Sequence, residues 1–211
     1  RYDLTYIIGE MIGELNAGHA YVGGGESPSV PRLQTGLLGA RISRDPQSKF
    51  FKIDKILKGA NWSTALRSPL TEIGVDVAEG DFIVEVNGKP TNEVGNIYEL
   101  LLNTVGKQVT LKVNKNPKLE GAKTMVVTPI ADESQLNYYE WVQGNIKKVS
   151  DATNGRVGYI HIPDMQANGL SEFAKHYYPQ LGKKALLIDV RGNGGGNVSP
   201  QLIERLRREV A

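Results

Sequence analysis

Three consecutive glycines, Gly194 to Gly196, are the residues of this chain best placed to do chemistry. They follow an apolar segment, 185–190, with the composition of a buried strand, and a helical pattern over 200–209 comes soon after them. Glycine has no Cβ, so backbone N–H groups there can face a ligand closely. A strand, a glycine run and a helix start in that order can bind a phosphate or stabilise a developing oxyanion.

Two nucleotide-binding patterns fit this run poorly. A Walker-type phosphate loop ends in Gly-Lys-Ser/Thr, and no such triplet follows the glycines. A dinucleotide fingerprint that starts at Gly192 needs its third glycine where the chain has Asn197. These mismatches favour the oxyanion interpretation.

His19 is the candidate for acid–base chemistry, because a neutral imidazole can take the proton of a serine hydroxyl near physiological pH. A lone histidine after a helix is, by itself, more often a surface or structural residue. Ser199 precedes a proline at a predicted helix start, so we predict that it caps free N–H groups rather than acting as a nucleophile. His161 and Asp164 flank a strand end, and a catalytic dyad with Ser199 is an alternative.

The elements that must position these residues fall into three sections, for which we predict boundaries at 1–34, 35–131 and 132–211. The first contains a helix followed by a Ser- and Pro-rich linker over 26–34. Apolar residues recur in this helix at three- and four-residue spacing, which predicts one buried face. They are Leu4, Ile7, Ile8, Met11, Ile12 and Leu15.

The second section predicts mostly strands, with one short helix over 96–103. An Asn-Gly pair at 87–88 predicts a tight turn. The predicted strands carry β-branched or aromatic residues and are bounded by Gly, Pro or Asn. They are 37–43, 50–56, 82–86, 108–113 and 124–130.

The third section alternates helices and strands, which predicts a right-handed parallel crossover. Two strands are too few for a stable open sheet, so we expect further strands in later sequence or in a partner chain, and we expect a homo-oligomer. The predicted elements are helices 136–152, 169–178 and 200–209 and strands 157–162 and 185–190.

Composition excludes several classes of function. Basic and acidic residues number 25 and 23, so neither a nucleic-acid partner nor a membrane surface is indicated. No run of about 18 apolar residues is present to span a membrane. The lack of cysteine excludes disulfides and thiolate chemistry, and it leaves the compartment open between cytoplasm and periplasm. Because the chain begins at Arg1 and ends at Ala211 just after a helix, we expect a piece of a longer protein.

The middle section resembles a PDZ domain. The resemblance implies that Leu37, Leu38, Gly39 and Ala40 form a loop that binds a peptide carboxylate, although the domain could equally be a structural insert. The strings that carry it are Leu37-Leu38-Gly39-Ala40, Ser68-Pro69-Leu70, Gly74-Val75, Val77-Ala78-Glu79-Gly80-Asp81 and Phe82-Ile83-Val84-Glu85-Val86-Asn87-Gly88.

The whole chain resembles the core of tricorn-type serine peptidases, which are relatives of the carboxyl-terminal processing peptidases. The matching strings are 14–21 around His19, 156–165, and 189–196 with the glycines. The resemblance implies an α+β fold: an N-terminal helix, a PDZ-like β-rich domain with one or two helices, and an incomplete α/β peptidase segment of the crotonase or Clp type.

The resemblance also implies roles for residues. His19 would be the general base and the Gly195 N–H an oxyanion donor, with Gly194 and Gly196 in the same oxyanion or substrate loop. The nucleophilic serine and an acidic residue that orients His19 would follow residue 211, so we expect this chain alone to be inactive. His161 and Asp164 would be structural or close to the substrate.

One position departs from the family pattern, because Gly18 stands where a serine often precedes the catalytic histidine. The resemblance implies peptide or oligopeptide substrates and neither a metal nor an organic cofactor. The alternative function is a PDZ module that recognises carboxyl termini without catalysis.

Overall fold

The structure is a computed structural model that describes residues 2–24 and 33–208. The chain divides into two compact units, Arg1–Leu33 and Gln34–Ala211. The linker predicted over 26–34 falls mostly outside the described residues, as does Glu209 at the end of the last predicted helix. Within the described ranges, no helix combines the length and the apolar composition that crossing a membrane requires.

The first unit contains helix α1, Tyr2–Gly13, as predicted. After the helix the chain folds back, and the Thr5 hydroxyl donates to the Gly24 carbonyl over 3.2 Å. The predicted buried face is wrong for this structure, because Leu4, Met11 and Leu15 are more than half exposed. Residues 2–24 form one helix and no strand, so they provide no second layer of their own against which an apolar face could pack.

The second unit begins with an antiparallel sheet in the order β1-β2-β3-β5-β6, with β4 paired to β3. Val86 pairs with Lys89 across the predicted Asn-Gly turn. The strands are β1 Ala40–Arg44, β2 Phe51–Ile56, β3 Phe82–Val86, β4 Lys89–Pro90, β5 Val109–Asn114 and β6 Lys123–Val127.

One face of this sheet packs into a hydrophobic core. Alternate residues of β5 are buried, as the two-residue period of a half-buried strand requires. The helix predicted over 96–103 is a 3-10 helix, Ile97–Leu101, and both end residues lie in the core. Asn96 and Glu99 form a capping box at its start, which stabilises this short element. Further 3-10 turns are Thr64–Leu66, Pro69–Thr71, Thr91–Glu93 and Tyr178–Gln180.

The α/β segment follows, with helix α2, Ser134–Ala152, packed on β7, Val157–His161. Helix α3, Ala167–Tyr177, leads from β7 to β8, Ala185–Asp189, and the two strands pair in parallel from Val157 opposite Ala185 to His161 opposite Asp189. Helix α4, Ser199–Leu206, follows. The helices cover the strands through a core of Ile160, Ile162, Phe173, Val198 and Leu202. The predicted α+β organisation, with an incomplete α/β segment, is confirmed.

Candidate active site

The glycine run forms the connection between β8 and α4, and it is tied to the segment that follows β7. The Gly194 N–H donates to the Pro163 carbonyl over 3.1 Å, and the Met165 N–H donates to the Gly195 carbonyl over 2.8 Å. The amides of Asn197 and Val198 both donate to the Met165 carbonyl, at 2.7 and 2.9 Å. Main-chain bonds therefore fix the loop at the carboxyl ends of both strands, where open α/β sheets bind ligands.

The three glycines differ in backbone conformation and in the space available for a side chain. Gly196 has φ +139°, and a Cβ there would lie 2.1 Å from the Met165 carbonyl oxygen, so close contact excludes any side chain. Gly195 has φ +79°, but a Cβ built on it or on Gly194 meets no atom of residues 2–24 or 33–208 within 4 Å. The loop thus packs closely at Gly196 and has open space beside Gly194 and Gly195.

Asn193 occupies the amide that we predict as the oxyanion donor. Its Oδ1 accepts the Gly195 N–H at 2.8 Å, while its Nδ2 donates to the Ile162 carbonyl over 2.9 Å. An amide oxygen therefore lies on this N–H, in the position that a ligand oxygen would take. Asn193 was not predicted as a site residue, because its only signal in the sequence is an amide side chain next to a glycine run.

A buried carboxylate anchors the loop where β8 ends. Asp189 is 7% exposed, and it accepts hydrogen bonds from the Arg191 side chain, from the Arg191 N–H, and from the Tyr159 hydroxyl at 2.7 Å. Asn145 of α2 donates to the same hydroxyl over 3.1 Å. The Arg191 guanidinium also lies 5.4 Å from the ring centroid of Trp141. The first turn of the loop is thereby joined to β7 and to α2.

These contacts shift the pKa values of Asp189 and Tyr159. The Arg191 side chain, followed by the Tyr159 hydroxyl, holds the pKa of Asp189 well below its usual range despite burial. Burial, together with the bond to Asp189, raises the pKa of Tyr159 to about 12. Asp189 is therefore a stable anion and Tyr159 a neutral donor at any physiological pH.

Because folding depresses the pKa of Asp189, its stabilising effect is complete above the unfolded pKa of about 3.9 and is lost as pH falls further. We expect Asp189→Asn to lower the free energy of unfolding by about 2 kcal/mol at pH 7, and we expect this difference to shrink below pH 4. Urea unfolding at pH 7, 5 and 3 measures it. Arg191→Gln removes the main cause of the pKa shift and should also reduce the acid sensitivity. Parallel pH profiles for all three proteins would contradict this assignment.

His161 is buried and forms a bridge to the loop. Its Nε2 lies 2.8 Å from the Arg191 carbonyl, and its Nδ1 lies 2.9 Å from the Tyr138 hydroxyl. A carbonyl can only accept, so the hydrogen is on Nε2 and, in the neutral ring, Nδ1 accepts from Tyr138. Both ring nitrogens are thus used inside the fold. The Asp164 carboxylate likewise accepts the amides of Gln166 and Gly169, each at 2.8 Å, at the start of α3.

The predicted helix cap at Ser199 is wrong. The N-cap residue of helix α4 is Val198, whose carbonyl already accepts the Leu202 N–H at 3.2 Å, and no side chain among the described residues caps the helix. Ser199 is therefore the first helical residue, and as such it is not at the position from which a hydroxyl caps a helix.

His19 lies in the first unit, after α1, and its side chain is exposed. Its φ of +61° is unusual for a residue with a side chain, and such conformations concentrate at functional sites. The Tyr21 hydroxyl lies 3.3 Å from His19 Nδ1. Gly194 to Gly196 belong to the second unit, so the pairing of His19 with the glycine loop stays a prediction.

The predicted PDZ loop, Leu37 to Ala40, leads into β1. Leu37 exchanges two backbone hydrogen bonds with Ile130, at 2.8 and 2.9 Å. The Gly39 N–H donates to the Glu133 carboxylate over 2.7 Å. Glu133 was not predicted as a site residue, because it lies 94 residues after the Gly39 amide that it binds. Among residues 2–24 and 33–208, no group of three or more His, Asp or Glu side chains is placed to bind a metal ion.

Comparison with known families agrees with this arrangement. Residues 36–132 match the family model described as the tricorn protease PDZ domain, and residues 156–206 match peptidase family S41. The chain therefore carries a PDZ domain followed by the beginning of a family S41 peptidase domain.

Individual relatives show which family S41 peptidases the chain resembles, and the chain belongs to the tricorn protease family. It is 37% identical over 99% of its length to tricorn protease homolog 1 of Streptomyces coelicolor and 38% identical over 98% to the tricorn protease homolog of Saccharolobus solfataricus. A solved tricorn protease superposes over 99% of the chain with a TM-score of 0.86 and 30% identity. The chain spans about a fifth of these proteins, 19% of each homolog and 20% of the solved chain.

Proposed function

We propose that this chain supplies the general base and one oxyanion donor of a serine peptidase that hydrolyses peptide bonds by acyl transfer. Residues 1–34 supply His19, residues 35–131 form the PDZ domain, and residues 132–211 supply the Gly195 N–H. The nucleophilic serine and the acidic residue that orients His19 come from sequence after Ala211. The observation that carries the proposal is the fixed glycine loop with open space beside Gly194 and Gly195. The family match supports it.

The chemistry assigns a separate task to each group. His19 takes the proton of the serine hydroxyl as the serine oxygen bonds to the scissile carbonyl carbon. The carbonyl oxygen becomes an oxyanion, which the Gly195 N–H stabilises by a charge-assisted hydrogen bond. The C–N bond then breaks, and the leaving amine takes the proton from His19. Water hydrolyses the acyl-enzyme by the same steps, with His19 again as the base.

Two local contacts have consequences for this proposal. The oxyanion must displace Asn193 Oδ1, which accepts the Gly195 N–H before substrate binds. At His19, the Tyr21 hydroxyl can accept from Nδ1–H, which leaves the Nε2 lone pair for the serine proton. Tyr21 thus gives the imidazole a partner where Gly18 has none to offer.

The proposal predicts a difference between two lengths of polypeptide. The 211-residue chain should release no product from a fluorogenic peptide, whereas a chain extended through the following coding sequence should hydrolyse it. Ser199→Ala should leave the activity of the extended chain unchanged. If the 211-residue chain hydrolyses the peptide and Ser199→Ala abolishes this, the nucleophile lies within it and the proposal fails.

A PDZ module that binds peptide carboxyl termini is the second candidate function. The observation in its favour is the Gly39 N–H, which already binds a carboxylate oxygen. A homo-oligomer remains a prediction that follows from the two-stranded β7–β8 sheet.

A further inference from the structure

The loop 37–40 of the PDZ domain holds a carboxylate from its own chain. Glu133 Oε1 accepts the Gly39 N–H at 2.7 Å, and the side chain is partly buried. Gly39 has φ +73°, and a Cβ there would lie 2.6 Å from the Ser68 hydroxyl oxygen. The loop therefore needs glycine at this position to direct its amide to the carboxylate.

Glu133 is placed to cap helix α2 but does not do so. It is the N-cap residue, yet its side chain makes no capping hydrogen bond. The neighbouring Asp132 accepts the Ser134 N–H at 2.8 Å and the Ser134 hydroxyl at 2.7 Å instead. Because Asp132 satisfies the start of the helix, the Glu133 carboxylate is free to contact the loop.

The surroundings of this carboxylate are those of a site for an extended peptide. Strand β1 pairs only with β2 and is the last strand of its sheet, so its other edge has no strand partner within residues 33–208. The 3-10 helix Ile97–Leu101 is tied to the chain just before the loop, because the Gly36 N–H donates to the Leu101 carbonyl over 2.8 Å. A loop amide, a strand edge and an adjacent helix are the parts with which PDZ domains add a peptide as a strand.

The charge of Glu133 also acts on that helix. Burial raises the pKa of Tyr98, which lies on the 3-10 helix, and the charge of Glu133 adds to the effect. Burial likewise raises the pKa of Glu133, while hydrogen bonds from the Gly39 and Ala40 amides act in the opposite direction. The Glu133 carboxylate thus binds the Gly39 amide and interacts electrostatically with Tyr98.

We propose that Glu133 is an internal ligand of the PDZ loop. Its side chain takes the place of a peptide's terminal carboxylate, and it closes the domain to peptide carboxyl termini while helix α2 is docked on the PDZ domain. The external ligand is a peptide with a free carboxyl end, which competes with Glu133 for the Gly39 amide. The inference concerns binding alone and stands whether or not His19 and Gly195 take part in hydrolysis.

Fluorescence anisotropy of the 211-residue chain with a fluorescein-labelled hexapeptide that ends in valine tests this. Glu133→Gln keeps the size of the side chain but removes its charge, and we expect the affinity for the free-carboxylate peptide to rise at least about tenfold over the wild type. The same peptide with an amidated carboxyl end should bind neither protein. Glu133→Asp, which keeps the charge but is one methylene shorter, should also bind the peptide more tightly.

Glu140→Gln is the matched control on the same helix. Glu140 pairs with Lys55 of β2 in a partly exposed ion pair, so this variant removes one negative charge from α2 with little effect on its docking and keeps the Glu133 carboxylate. Its peptide affinity should match that of the wild type within about twofold. The proposal is overturned if neither Glu133 variant, folded by circular dichroism, binds the peptide more tightly than the wild type. Equal binding of free and amidated peptides, or an equal gain in Glu140→Gln, would also overturn it.

Discussion

Replacing His19 by alanine should lower kcat/KM for peptide hydrolysis by about 10⁴-fold in the extended polypeptide that contains the nucleophile. The loss is large because, without a base, the serine hydroxyl is a weak nucleophile at neutral pH. The free energy of unfolding should stay within about 0.5 kcal/mol, since His19 is exposed. Initial rates with a fluorogenic peptide and urea unfolding curves measure the two quantities.

Tyr21→Phe is the control for the position of the imidazole. It removes the hydroxyl that lies 3.3 Å from His19 Nδ1 and keeps the aromatic ring. We expect a loss of about tenfold in kcat/KM, because the imidazole loses a partner but remains a base. A His19→Ala enzyme with more than about a tenth of the wild-type kcat/KM would rule out His19 as the general base.

Replacing Gly196 by alanine should lower the free energy of unfolding of the 211-residue chain by about 3 kcal/mol or more. The added Cβ would lie 2.1 Å from the Met165 carbonyl oxygen and 2.4 Å from its carbon, both backbone atoms that cannot move alone. The φ of +139° adds strain. The bonds from Asn197 and Val198 to the same carbonyl would be lost as the backbone moves.

Alanine substitutions at the two neighbouring glycines distinguish the cost of atomic overlap from the cost of backbone strain. Gly194→Ala meets no atom of the described part of the chain within 4 Å and is not at a positive φ, so it should cost less than about 0.5 kcal/mol. Gly195→Ala has the same open space but a φ of +79°, so it should cost about 1 kcal/mol. Urea unfolding of the three variants should rank them 194, 195, 196, and equal costs would show that the loop does not pack as described.

Local patterns predicted most of the elements of this fold. Strand β3 has the predicted bounds, because it combines β-branched residues with an Asn-Gly turn at which both residues adopt positive φ. Strand β1 begins three residues later than predicted, since Gly39 interrupts the extended chain with φ +73°. The glycine loop was predictable because the apolar segment 185–190 before it and the helical pattern 200–209 after it mark its position in the sequence.

Contacts between distant residues were not predictable in the same way. Glu133 reaches Gly39 across 94 residues, and Tyr159 reaches Asp189 across 30, so neither pair leaves a periodic signal. Local spacing also has a limit of its own. The spacing of apolar residues in α1 identifies an apolar face, but it does not say what covers that face, and the face is exposed. The occupied Gly195 amide depends on the rotamer of Asn193, which composition does not encode.

Helix α2 carries Glu133 at its start and Tyr138 one turn later, and the two contact different domains. Glu133 binds the PDZ loop, while Tyr138 holds His161, which in turn donates to the Arg191 carbonyl at the entrance of the glycine loop. Coupling between two binding equilibria is reciprocal. If a terminal peptide that releases Glu133 changes the affinity of the glycine loop for an anion, that anion must change the affinity for the peptide by the same factor.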